Sequence, residues 1–140
     1  MIKWIKKYTP FDKILTIEAM GIPITTAISI ELKVPFTVIR KRKYGLDGEI
    51  EINQKTGYSE SKLYINGLND GDEVVIVDDI ISTGGTLKAV LDGLKKIDVN
   101  VKCAVVAINK GFYLKGIIDE FKVPVISIID INAFDNQLVD

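Results

Sequence analysis

The 140-residue sequence contains no histidine. Ser-His-Asp and Cys-His nucleophile systems are thereby excluded, as are zinc sites that draw on imidazole. A single cysteine, Cys103, rules out an intramolecular disulfide. It lies in the apolar run CAVVAI, so it reads as a small buried hydrophobe, and a reducing, cytoplasmic setting is expected. No apolar stretch approaches the ~20 residues of a membrane span, and MIKWIKKY lacks the continuous apolar region of a secretory signal. The formal net charge of −1 provides no overall pull toward nucleic acid or an anionic membrane, so neither is an expected partner. Any chemistry must use carboxylates, hydroxyls, backbone amides, Lys and Arg, or a hard metal ion arriving with a substrate.

The composition is 47% apolar and 26% charged, ordinary for one globular domain with a sizeable core. A single domain over 1–140 is expected, with its core from about residue 12 to about 130 and a tail over 131–140. No repeat or linker interrupts it. Short apolar runs recur as ILTI (14–17), FTVI (36–39), VVIV (74–77), CAVVAI (103–108) and VISII (125–129). Continuous Ile/Val runs suit strands buried on both faces of a parallel sheet. Between them lie helical stripes: Leu87, Val90, Leu91, Leu94; Leu114, Ile117, Ile118, Phe121; and Ile24, Ala27, Ile28 behind Pro23. Alternation of the two patterns predicts an α/β fold, a central parallel sheet flanked by helices. Residues 43–62 break the rhythm, with only a weak alternating piece at EIEIN, and read as a long functional loop.

The most informative stretch is VVIVDDIISTGGTLKAVLDGL, from Val74. Parallel sheets bind ligands beyond the carboxyl ends of their strands, where Asp78 and Asp79 are expected. Ser82, Thr83, Gly84, Gly85 and Thr86 then turn into a helix, whose first amides and partial positive charge suit an anion. The two glycines allow close backbone approach. The sum is a cradle for a monophosphate, and the neighbouring carboxylates suit hydroxyl groups. A phosphorylated sugar satisfies both halves. The string is neither a P-loop nor a dinucleotide fingerprint. An isolated Asp-Asp would be no more than a solvated strand end, and a Ser/Thr-Gly-Gly no more than a capped helix start.

VVIVDDIISTGGT resembles the signature of the type I phosphoribosyltransferases, and the likeness extends over nearly the whole chain. TIEAMGIP (16–23) resembles their pyrophosphate loop, RKRKYGLDGE (40–49) the Arg-Lys strand end before their mobile loop, and TGYSESKLYI the return from it. The resemblance is strongest to archaeal purine enzymes, hypoxanthine/guanine-like and related to adenine phosphoribosyltransferases. It implies a type I phosphoribosyltransferase fold and Mg²⁺-dependent transfer of 5-phosphoribose from 5-phosphoribosyl 1-diphosphate (PRPP) to a purine base, releasing pyrophosphate. It assigns the ribose hydroxyls, and indirectly the metal, to Asp78 and Asp79. The 5-phosphate falls to Ser82, Thr83, Gly84, Gly85 and Thr86. Pyrophosphate falls to Ala19, Met20 and Gly21 with Arg40 and Lys41, and a cis peptide is expected between Ala19 and Met20. Arg42 and Lys43 are read as solvated. Glu18 is either part of this loop or a turn residue. Tyr58 and Glu60 are candidates for a lid that keeps water from the reacting sugar. A homodimer is also implied.

Two departures qualify the resemblance. Ser82 and Gly85 stand where some six-oxopurine enzymes carry an acid and a lysine. The lead MIKWIKKYTPF is short, which predicts a reduced hood over the base; Phe134 could stack on a base there, and Asp135 could read its edge, unless both belong to a disordered end. A module that senses PRPP or a nucleotide without turnover is the alternative, favoured by the short hood. A phosphosugar hydrolase would need a water-activating base that the sequence does not reveal.

Overall fold

The computed structural model describes residues 1–55 and 59–131. In chain order its elements are α1 (Ile2–Ile5), a 3-10 turn (Lys6–Tyr8), β1 (Lys13–Ile17), α2 (Gly21–Leu32), β2 (Phe36–Ile39), β3 (Ile50–Lys55) and β4 (Glu60–Ile65). They are followed by β5 (Glu73–Ile81), α3 (Gly85–Lys96), β6 (Asn100–Asn109), α4 (Leu114–Phe121) and β7 (Val125–Asp130). Each of the five apolar runs lies within one strand of a parallel sheet ordered β2-β1-β5-β6-β7.

Apolar residues at successive strand positions need cover on both faces. On one face Ile14, Val75, Val77, Cys103 and Val105 pack with Ile28 of α2 and Ile5 of α1. On the other, Leu15, Ile17, Ile76, Ala104 and Val106 pack with Leu87, Val90, Leu91 and Leu94 of α3 and Ile117 of α4. From β1 the sheet grows one way, through α2 to β2; from β5 it grows the other way, through α3 and α4. Crossovers of one hand that run in opposite directions put their helices on opposite faces. The division of the core into two clusters follows from this reversal.

Three local expectations change. Ile28 of the expected α2 stripe is buried, but Ala27 is exposed, and Gly21 and Thr25 are buried in its place. The cause is the close seating of Gly21, where a Cβ would collide with Thr16 Oγ1. That contact turns positions 21, 25 and 28 toward the sheet. The short lead also contributes to packing, since Ile5 is fully buried.

Within 43–62, residues 50–55 and 60–62 form strands, while 43–49 are irregular. β3 and β4 pair antiparallel from Ile50↔Ile65 to Lys55↔Glu60. Ile52, Leu63 and Ile65 are buried in the core with α3, while Glu51 and Lys62 form an ion pair of 2.6 Å on the outer surface. This polar outer face is what weakened the strand signal. A backbone bridge, Arg40↔Tyr64, ties the hairpin to the end of β2. The helix can approach because position 93 is glycine: a Cβ there would lie 2.8 Å from Ile52 Cγ1. Gly93→Val is therefore expected to lower unfolding free energy by about 2 kcal/mol, the usual scale of overpacking. Urea denaturation checks this, and an unchanged midpoint would mean that the hairpin does not pack against α3 as described.

Candidate functional site

The end of β1 creates the site. Its last pair with β5 is Thr16↔Val77, but β5 continues to pair with β6 as far as Ile81↔Asn109. Asp78 and Asp79 are thus inside β5, not just beyond it as expected. The departure of β1 leaves them at the open crevice where the direction of the sheet reverses.

Asp78 Oδ1 accepts the Asp79 amide at 2.9 Å. Burial pushes the Asp78 carboxyl up to about 7, the Asp79 amide opposes this, and the nearby Asp79 carboxyl adds to it. Gly21 packs against the same group, since a Cβ there would be 2.9 Å from Asp78 Oδ1. Beyond β5, Ser82 and Thr83 are exposed and Gly84 is buried. Gly84 has φ 79°, and a Cβ on it would meet Ile117 Cδ1 at 2.5 Å, so both backbone and packing require glycine. α3 starts at the next residue, leaving its first-turn amides without intrahelical acceptors.

A cavity of about 230 Å³ is lined by Glu18, Lys41, Gln54, Asp78, Asp79 and all of Ser82–Thr86, over an apolar floor that includes Ile17 and Ile76. One wall can accept hydrogen bonds from hydroxyls or hold a hard cation through carboxylates, while the other presents amides and hydroxyls to an anion. Lys41 adds positive charge. Ala19, Met20 and Gly21 lie next to the cavity rather than in its lining, with Met20 65% exposed. The cis peptide in this loop joins Glu18 and Ala19, one residue earlier than expected. The Glu18 amide still donates to Ile39 O at 3.1 Å, and Ala19 O already accepts the Ile22 amide at 3.2 Å. Glu18 has a definite role, its carboxylate accepting the Lys41 amide.

Arg40 is placed differently from its expected position beside Lys41 in the site. The residue is only 8% exposed, and it does not line the cavity; its guanidinium is turned to other partners. It donates to Glu49 Oε2 at 3.0 Å, Arg42 O at 3.0 Å and Asn66 Oδ1, and stacks over Tyr44 at 3.7 Å. Burial works against the Glu49 charge, but the Tyr44 amide, the Arg40 guanidinium and the Gly45 amide together hold it below the ordinary carboxylate range. A buried cation so fully paired is committed to holding the hairpin. Glu60 is also outside the cavity, exposed and 3.5 Å from Lys55. Tyr58, Phe134 and Asp135 lie outside the described residues. Sequence reasoning missed Gln54, although EIEINQK places 50, 52 and 54 on one face. A polar residue in line with the half-buried Ile50 and the buried Ile52 was the available signal.

Fold and crevice define a doubly wound α/β protein with its ligand site at the point of reversal. Residues 1–137 match the family model described as phosphoribosyl transferase domain, and the chain belongs to that family. It is 47% identical over 127 residues to a hypoxanthine/guanine phosphoribosyltransferase of Methanothermus fervidus, covering 91% of this chain and 67% of that protein. A protein of the same name from Methanothermobacter thermautotrophicus is 44% identical over 135 residues, covering 96% of this chain and 70% of the relative. The fold matches the crystal structure of adenine phosphoribosyltransferase from Thermoanaerobacter pseudethanolicus, with a TM-score of 0.77 and 25% identity over 93% of this chain and 78% of that one. The fold is that of the type I phosphoribosyltransferases.

The raised Asp78 group has a measurable consequence. In the folded chain it keeps its proton to about pH 7, against an ordinary value of 3.8. Between these values the folded state binds more protons, so this residue's contribution to stability falls as pH rises. Asp78→Asn is therefore expected to gain stability relative to the unsubstituted chain between pH 4 and pH 8. Parallel urea curves that show no such divergence would contradict the burial of this carboxylate.

Proposed function

We propose that this protein transfers the 5-phosphoribosyl group of PRPP to a purine base in purine salvage, with hypoxanthine and guanine the bases favoured by its archaeal relatives. The observation that carries this reading is the convergence of Asp78, Asp79 and the whole Ser82–Thr86 loop on one cavity at the sheet's reversal. The bond from the ribose anomeric carbon to pyrophosphate breaks, and its electron pair leaves with pyrophosphate. The purine nitrogen forms the new bond at that carbon and releases its proton.

The amides at the start of α3, with Ser82, Thr83 and Thr86 hydroxyls, hold the 5-phosphate. Asp78 and Asp79 accept hydrogen bonds from the ribose hydroxyls and fix the sugar. Lys41, presented at the cavity wall, stabilises charge developing on pyrophosphate, with the amides of Ala19, Met20 and Gly21 on the adjoining side. Arg40 serves this step from behind, by fastening the hairpin next to Lys41. Glu60 and Tyr58 are proposed to approach the substrate from the hairpin end.

The donor set fits Mg²⁺ held indirectly, through the substrate: Asp78 and Asp79 would offer hard oxygens at the cavity lining, and among the described residues no cluster of three or more His, Cys, Asp or Glu forms an all-protein metal cage. Such a site matches an ion carried largely by substrate oxygens. When bound, Mg²⁺ offsets the charge of the pyrophosphate.

A homodimer and a cytoplasmic setting complete the proposal. The outer face of α2 supports the first, with Ile30 73% exposed beside exposed Met20, Pro23 and Ala27. Among the described residues no helix is long and apolar enough to cross a membrane.

Pyrophosphate release with Mg²⁺, PRPP and each purine base separately tests the reaction. Release dependent on hypoxanthine or guanine is expected, with PRPP affinity falling about 100-fold in Asp78→Asn/Asp79→Asn, the scale of two charge-assisted hydrogen bonds. Binding of PRPP without release from any base would make the protein a sensor. Absence of PRPP binding would overturn the assignment of the site.

A further inference from the structure

Besides the packing of Ile52, Leu63 and Ile65 on α3, the described residues of the β3–β4 hairpin make polar contacts with the body at two places. Near β2, the Arg40↔Tyr64 bridge joins backbones, and the Arg40 guanidinium adds Glu49 and Asn66. Toward its far end, the attachment is a side-chain contact with the phosphate loop itself. Gln54 Nε2 donates to Thr86 Oγ1 at 2.8 Å, and Ser61 Oγ, opposite on β4, donates to Gln54 Oε1 at 3.2 Å.

Hydrogen-bond accounting gives this chain of contacts a direction. A hydroxyl has one hydrogen to donate and two lone pairs. With one lone pair of Thr86 engaged by the Gln54 amide, its hydrogen is left to point away from the hairpin. The Ser61 hydroxyl occupies the Gln54 carbonyl, which sets the amide with its donor end toward Thr86. Gln54 and Thr86 both line the cavity, and Thr86 is the second residue of α3, so its hydroxyl stands beside first-turn amides that lack intrahelical acceptors, the Gly85 amide being held only by a long 3.4 Å contact to Thr83 Oγ1. The hydrogen that Gln54 leaves free is one more donor for the anion those amides attract. Chained donors polarise each other in the same sense.

We infer that Gln54 is a positioning residue for the phosphate cradle: from the hairpin, it orients the Thr86 hydroxyl to donate to the 5-phosphate of the substrate. This rests on the functional proposal above and adds to it a residue outside the Asp-Asp-Ser-Thr-Gly string. It also explains why a polar side chain occupies the third inward position of β3, after Ile50 and Ile52.

The test uses the full chain and measures ribose 5-phosphate and pyrophosphate binding separately, by calorimetry, with KM for PRPP and kcat alongside. Gln54→Met keeps length and removes the amide. It is expected to weaken ribose 5-phosphate binding and raise KM for PRPP about five- to tenfold, the scale of one hydrogen bond, while leaving pyrophosphate affinity within about twofold and kcat nearly unchanged. In a Thr86→Val background the same substitution is expected to cost nothing further, because the hydroxyl it orients is gone. If Gln54→Met weakens both ligands equally, or adds its full effect to Thr86→Val, Gln54 merely supports the hairpin and the inference is wrong. If the unsubstituted chain binds neither ligand, the functional proposal itself fails, and this inference with it. Circular dichroism of each variant identifies a folding defect; should Gln54→Met show one, Ser61→Ala is expected to shift ribose 5-phosphate affinity in the same direction, and no shift would overturn the inference.

Discussion

The proposed site depends on one mismatch of length: β5 is hydrogen-bonded to β6 four residues beyond the point where β1 has left it. A parallel strand in the middle of a sheet normally has both edges satisfied, and its side chains are sealed by helices. Here one neighbour turns away after Ile17, so the backbone of β5 stays rigid while its Asp78 and Asp79 are opened to a cavity. The carboxylates therefore stand on a strand rather than a loop, which favours fixed geometry over adaptability. The half-burial that comes with that position also raises the Asp78 group. Bound cationic or hydroxylic ligands would relieve this unfavourable charge.

The second determinant is how the remaining walls are held. The Ser82–Thr86 loop is held by packing, because Gly84 lies against Ile117 of α4. The loop after β1 is held at Glu18, whose carboxylate accepts the Lys41 amide and so joins the ends of two neighbouring strands. The hairpin is held by the buried Arg40–Glu49 pair. Burying a pair of charges is costly unless geometry and further hydrogen bonds repay it, and Arg40 meets that condition with contacts to Asn66, Arg42 and Tyr44. Two adjacent residues of the same charge thus have opposite assignments. Arg40 organises the wall, and Lys41 faces the cavity.

Signals that are contiguous were legible in the sequence, and signals that depend on distant partners were not. Each Ile/Val run lies in a sheet strand, and the stripes of α3 and α4 mark their buried faces, because burial on a regular element repeats at a fixed local period. The Asp-Asp and Ser-Thr-Gly-Gly elements were legible because one strand–turn–helix unit carries both. The commitment of Arg40 was not, since it depends on Glu49 and Asn66, nine and 26 positions away. The hairpin was obscured by its solvated face, and only Ile50, Ile52, Leu63 and Ile65 betray it. Gln54 was hidden by the same distance effect, its partner Thr86 being 32 residues on. In α2 the regular apolar period misled: close packing of Gly21 against Thr16 outweighed the burial of one alanine.

Amide NMR of the ¹⁵N-labelled chain, titrated with ribose 5-phosphate, addresses the site with the least intervening inference. Saturable shifts of Gly84, Gly85, Thr86 and Leu87, together with Asp78 and Asp79, are expected, because phosphate and sugar should be held by one strand–turn–helix unit. Shifts centred elsewhere, such as the acidic and glycine-rich turn at Gly45–Glu49, or no saturable shifts at all, would contradict the assignment of the crevice beside β5 as the phosphoribosyl site.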